Sequence, residues 1–192
     1  MYNVFDMGIM ACEDVQAWVG SCKFGKDNGG SFEPAEVTDG AFVKLGDLAD
    51  DKVYAGEKDW NVYKAYAPDA TTYEAEDIAV IDLAEVMGGV IGGNYYKLNA
   101  KTVDLKAEAD LPVRFRKVFK GDKFWLGAGC FASVPAIGKY AGLTANDTIL
   151  TPADEKPANF GVVIRASKPL TQGNKVGYKD GAFVQAYLVE VL

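Results

Sequence analysis

The chain has 192 residues and no histidine. Histidine is the one side chain whose ordinary pKa puts its charge change near neutral pH. Its absence removes Ser-His-Asp and Cys-His hydrolases, two-histidine zinc sites and the commonest general base. Carboxylates, lysines, tyrosines and cysteines remain. Two carboxylates cleave a glycoside when an apolar pocket raises the pKa of one of them. The candidates are Asp47, Asp50, Asp51, Glu74, Glu76 and Asp77, all in hydrophilic, loop-like stretches without a pocket signature. They read as solvated surface, because buried carboxylates are rare. The Asp-x-Asp/Asn-x-Asp/Asn-Gly spacing of a calcium loop is missing, which leaves only a weak calcium site in these loops open.

The other chemistry-bearing residues point the same way. Cys12, Cys22 and Cys130 are odd in number and form no Cys-x-x-Cys pair, so they are expected as small buried hydrophobes. Gly88, Gly89, Gly92 and Gly93 follow a strand-like run but lack dinucleotide or P-loop spacing, and a mobile loop is expected there. Trp60, Tyr63, Tyr66 and Tyr73 lie around loop regions and suggest an aromatic platform for sugar rings, although aromatics in β proteins are usually core. The expectation is a non-enzyme with no cofactor and no metal.

The elements that must position these residues are short. Apolar runs at 41–45, 78–83, 112–119, 124–126, 161–166 and 183–192 read as strands. Val113 and Phe115 alternate with Arg114 and Arg116, apolar in and charged out, and the last run is rich enough in apolar residues to be buried on both faces. Gly, Asp and Asn pairs separate the runs. Lys120-Gly121-Asp122-Lys123 reads as a two-residue hairpin turn. Residues 20–40 read as a long surface loop, 151–159 as a stiffer one, and Glu13 to Val19 as a short helical turn. The pentapeptide at 39–43 recurs at 180–184, which two strands beginning after Asp-Gly turns explain. The fold class expected is all-β: an antiparallel β-barrel or sandwich with long loops and at most one or two short helices. It forms one domain over 1–192, with 1–40 as an arm or loop packing on partners.

The net charge is −7 and the pI about 4.7, which disfavours nucleic acid as a partner. No run approaches the roughly 18 apolar residues of a membrane span. The first residues lack a basic region, and Asp6, Glu13 and Asp14 interrupt them, so no signal peptide is read and synthesis in a cytoplasm is expected. Arg114, Arg116, Lys117, Lys120 and Lys123 make a local basic run. It is read first as the solvated face of a hairpin and second as a contact for an acidic partner.

Residues 40–47 (Gly-Ala-Phe-Val-Lys-Leu-Gly-Asp), 53–57 (Val-Tyr-Ala-Gly-Glu), 78–87 and 114–122 (Arg-Phe-Arg-Lys-Val-Phe-Lys-Gly-Asp) together resemble the head decoration or minor capsid proteins of tailed bacteriophages. The likeness spans about 40–130; the glycine-rich 88–93 stretch and the extended 131–160 region depart from it. It implies a β-barrel-like body on the virion surface, bound to the major capsid protein, to copies of itself as a homo-oligomer, or to both. It implies no catalytic residues. The contact residues expected are Arg114, Arg116 and Lys120, with Phe5 of the N-terminal segment as an apolar anchor. A tail-tube or connector subunit and a carbohydrate-binding adhesin module are the alternatives.

Overall fold

The structure is a computed structural model that describes residues 5–6, 19–49, 52–54, 57–58, 62–68, 78–83, 89–91, 94–96, 106–169, 178–179 and 182–192. It is nearly all β, with a closed five-strand barrel and additional sheets. The main strands are β1 (Val19–Asn28), β2 (Ser31–Pro34), β3 (Phe42–Leu48), β4 (Val62–Tyr66), β5 (Ile78–Ile81), β6 (Val113–Lys117), β7 (Lys123–Gly127), β8 (Tyr140–Leu143), β9 (Leu150–Ala153), β10 (Gly161–Pro169) and β11 (Gln185–Val191). Among the described residues, one 3₁₀ turn at Ala128–Cys130 is the helical content.

The barrel runs β1-β4-β3-β5-β6 and closes where β6 returns to β1, Val113 opposite Cys22 and Arg116 opposite Val19. Its pairings are antiparallel except β1 with β4, which run parallel from Ser21↔Val62 to Gly25↔Tyr66. Closure removes the sheet edges that would otherwise expose unpaired backbone groups. The interior holds Cys22, Ala41, Val43, Ala65, Ala79, Ile81, Val113 and Phe115. These residues are mostly small, as a narrow barrel demands. Phe115 is completely buried, and burial of such a ring is worth about 3 kcal/mol.

The second sheet runs β7-β11-β10-β8-β9, antiparallel throughout, with the two-residue strand Phe5–Asp6 on the outer edge of β7. The chain leaving β7 curls round to β9: Phe131 bridges Leu150, and the Ala132 N–H donates to the Leu150 carbonyl at 2.8 Å. Phe124, Leu126, Phe131, Phe160, Ile164 and Tyr187 belong to the core on its inner side. Phe42, Ile78 and Val80 from the outside of the barrel complete that core. The Phe42 ring lies 5.6 Å from Phe160 and 6.3 Å from Phe124. Strands β3 and β5 therefore serve two cores at once. Val43, Ala79 and Ile81 face the barrel interior, whereas Phe42, Ile78 and Val80 face the second sheet.

Five local expectations are corrected. Residues 20–40 are not a loop: β1 and β2 form a hairpin across Gly29 and Gly30, at φ +63° and +89°, the pattern of a type I′ turn. Lys120-Gly121 is a turn, with Gly121 at φ +92° and the Asp122 N–H donating to the Phe119 carbonyl at 3.0 Å. It closes no hairpin, because β6 pairs in the barrel and β7 pairs with β11. Strand β11 is buried on one face only: Tyr187, Val189 and Val191 are buried, while Leu188 and Glu190 are partly exposed. The 88–93 stretch contributes Gly89–Ile91 to an antiparallel pair with Asn94–Tyr96. The helical turn from Glu13 lies outside the described residues up to Val19, which opens β1. Of the stiffer loop, 151–153 belongs to β9.

Candidate functional site

The charged residues buried in this fold hold the chain to itself. Asp82, at 5% exposure, follows β5, and Arg114 and Arg116 reach it from the outside of β6. The Arg116 Nε lies 2.7 Å and the Arg114 Nη2 2.8 Å from the same carboxylate oxygen. The Asp82 N–H also donates to the Arg114 carbonyl at 3.0 Å. One carboxylate thus fastens β5 to β6 by side chain and backbone together. Asp39 is fully buried and accepts the Leu83 N–H at 2.8 Å. Asp122 accepts the Phe119 N–H at 2.9 Å, bracing the turn between the two sheets. Burial pushes the Asp122 pKa up, against the pull of that N–H. Lys23 points away from the barrel interior and pairs with Asp110 at 2.9 Å.

The expected contact residues are placed as follows. Arg114 and Arg116 are engaged by Asp82. Lys120 is exposed at the turn between β6 and β7. Phe5 lies opposite Leu126 on the edge of β7. Phe5 and Lys120 therefore flank β7, whereas the two arginines belong to the barrel. Of the clustered carboxylates, Asp47 is exposed on β3, and Asp50, Asp51, Glu74, Glu76 and Asp77 lie outside the described residues. Trp60, Tyr73 and Cys12 do as well. Cys22 and Cys130 are buried as expected. Burial pushes the Cys22 thiol up to about 12, so it is held as an unreactive thiol.

A cleft of about 630 Å³ opens at one end of the barrel, between β1, β3, the end of β4 and residues 146–148 of the second sheet. Phe24, Leu45 and Tyr66 give it an apolar floor, and Lys26, Lys44, Asp27 and Asp147 bring charge to its walls. The 146–148 wall is fixed locally. Asp147 Oδ1 accepts the N–H of Thr148 at 2.7 Å and of Ile149 at 3.3 Å. The Thr148 carbonyl in turn accepts the Phe42 N–H at 2.8 Å. The Tyr66 ring stands edge-on to Phe32, with centroids 5.6 Å apart. Its hydroxyl pKa is raised, first by burial and then by Asp27 and Asp47. The phenol stays protonated at neutral pH and able to donate a hydrogen bond. An aromatic floor with mixed charge at the rim is equipped to bind. Among the described residues no group of three or more His, Cys, Asp or Glu is placed to hold a metal ion.

Of this cleft, the sequence marks only Tyr66 as a candidate for binding. Phe24, Lys26 and Asp27 fall in the stretch expected as a loop, yet Gly29-Gly30 between Phe24 and Phe32 is a short-range hairpin signal. No local signal marks Asn146, Asp147 and Thr148. The chain matches no family model, no curated protein and no solved structure.

Proposed function

We propose that this chain is a structural protein of a virion, a decoration or auxiliary head protein that attaches to an assembled bacteriophage shell. One observation carries the reading: Asp39, Asp82, Asp122 and Lys23 are buried, and each is engaged by the chain's own backbone or an opposite charge. Ionisable groups used this way rigidify a body and leave its surface for contacts. The turn-and-strand resemblance to head decoration proteins supports the same reading. So does the loop at 132–139, which presents Val134 and Ile137 at 68% and 59% exposure. Its base is hydrogen-bonded to β10, the Gly138 N–H donating to the Ile164 carbonyl and the Ile164 N–H to the Lys139 carbonyl, both at 2.8 Å. A fixed apolar projection suits a contact with another protein.

The test is the protein content of purified particles from the source phage, with co-sedimentation of the purified chain on shells that lack it. Many copies per particle, and binding to assembled shells in preference to free shell subunits, are expected. Absence from the particle, or equal binding to shells and free subunits, overturns the reading. The cleft favours a second one, a carbohydrate-binding module that seats a sugar against Tyr66. Saturable binding on a glycan array, lost in Tyr66→Ala, would establish it.

A further inference from the structure

The outer face of the second sheet carries an ordered set of charged and aromatic side chains. Side chains alternate along its strands, so the residues between those of the core point outward. On β7 these are Lys123 and Trp125, paired across to Glu190 and Leu188 on β11. On β10 the register shifts between Ile164 and Ala166, and the extra residue is Arg165. Bulges re-aim a side chain, and here Arg165 turns to Glu190, its Nε 2.8 Å from the carboxylate. Lys123 approaches the same carboxylate at 3.6 Å. Lys168 lies with its ammonium 4.1 Å from the centre of the Trp125 ring, a cation–π contact that holds both in place.

The result is a pre-ordered patch. Trp125 and Leu188 form an apolar floor that is partly exposed. Among the described side chains, three cations, Lys123, Arg165 and Lys168, surround it with one anion, Glu190, and Asp6 pairs opposite Trp125 at the edge. The patch is basic although the whole chain carries −7. It continues toward the apolar loop, whose base is tied to Ile164, the residue before Arg165. Tryptophan and arginine in a fixed setting beside exposed aliphatic groups are the composition of an interface centre, and complementary charge sets partner and orientation.

We propose that this face is a docking surface for an acidic protein surface. A protein fits better than nucleic acid because Lys168 covers one face of the Trp125 ring, which a stacking base would need. The inference does not depend on the virion reading and can fail or hold separately from it.

The experiment titrates the purified full chain with a fluorescein-labelled oligoglutamate peptide and, in parallel, a labelled oligothymidylate. Saturable peptide binding is expected, weakening between about 0.01 M and 0.15 M salt as the screening length falls from about 30 Å to about 8 Å. Lys168→Glu should weaken binding by about tenfold or more, and Arg165→Gln by less. Lys26→Glu in the cleft should leave it unchanged. Amide shifts in a ¹⁵N spectrum should centre on β7, β10 and β11. Absence of saturable peptide binding, tighter binding of the oligothymidylate, or shifts centred on the cleft would each overturn the proposal. Variants are compared only where circular dichroism and melting match the parent.

Discussion

Two strands of this molecule carry arginines on their outward faces and use them in opposite ways. On β6, Arg114 and Arg116 converge on Asp82, a carboxylate that is almost completely buried. On β10, Arg165 meets Glu190 with the guanidinium side chain 51% exposed, and Lys168 lies over Trp125. The first arrangement locks two strands of a closed barrel. The second holds charge in position at a surface. Alternation of apolar and cationic residues therefore says which face a cation takes, and the burial of its partner decides whether the cation serves the fold or faces outward. The two cores differ in parallel. The barrel closes on small residues, whereas the second sheet is filled by large ones and is completed by Phe42, Ile78 and Val80 from the barrel.

The largest expected effect tests that dependence. Phe42→Ala removes a fully buried ring shared by the two sheets and should cost about 3–5 kcal/mol, measured by urea unfolding. A single transition moved as a whole is expected. A curve that splits in two, with one half unchanged, would mean that the sheets are independent. Next, Asp82→Ala removes the acceptor of two arginines and should cost roughly 1.5–3 kcal/mol. Arg165→Gln, on the exposed pair, should leave the denaturation midpoint unchanged. The reverse order would break the contrast drawn between the two faces.

Gly121→Val acts on the connection between the sheets. The space around this position is open, so the penalty is conformational: φ is +92°, and a β-branched residue there should cost about 1–2 kcal/mol. Gly121→Asn should cost less, because asparagine tolerates positive φ, and equal melting of all three proteins would contradict the turn geometry. The smallest effect concerns Asp122. Its folded pKa is raised by burial, so its contribution is fully present below the unfolded pKa and is lost as pH rises through the folded one. Asp122→Asn keeps an acceptor for the Phe119 N–H without the buried charge. At pH 7 it should melt at or up to about 3 °C above the parent, and the difference should vanish near pH 3. Glu190 has the opposite sign, lowered first by its hydrogen bond from Arg165. Its contribution is present above the unfolded pKa and lost as pH falls through the lowered one, equally in parent and variant. A gain from Asp122→Asn that grows on acidification would refute the assignment.

The strands that alternate cleanly are legible in the amino-acid pattern: 113–117 with Val113 and Phe115 inward, and 78–81 as a continuous apolar run that serves two cores. Strand β1 is not, because Gly20, Gly25 and its lysines imitate a loop. The glycines are there because aromatic rings lie over them: a Cβ on Gly20 would sit 2.5 Å from the Phe115 ring, and one on Gly25 2.6 Å from Phe32. Such a reason belongs to the partner strand and leaves no trace in the local pattern. The same holds at the sites. Alternation alone turns Arg114 and Arg116 outward and is silent about Asp82 beside them, and the cleft joins Tyr66 to residues 146–148 from the other sheet. Periodicity reports a strand's own faces; it does not report what lies across from them.

The return of β6 to β1 has a consequence in time. Residues 113–116 close the barrel against 19–22, so the first strand keeps an open edge until most of the chain has left the ribosome. Contacts so distant in sequence must overcome the full entropy of loop closure before they stabilise anything. Folding is expected to be slow for a chain of this size, with the closing pair among the last hydrogen bonds to gain protection from exchange. During that interval, the edge of β1 is the place where a growing chain is most exposed to pairing with another of its kind.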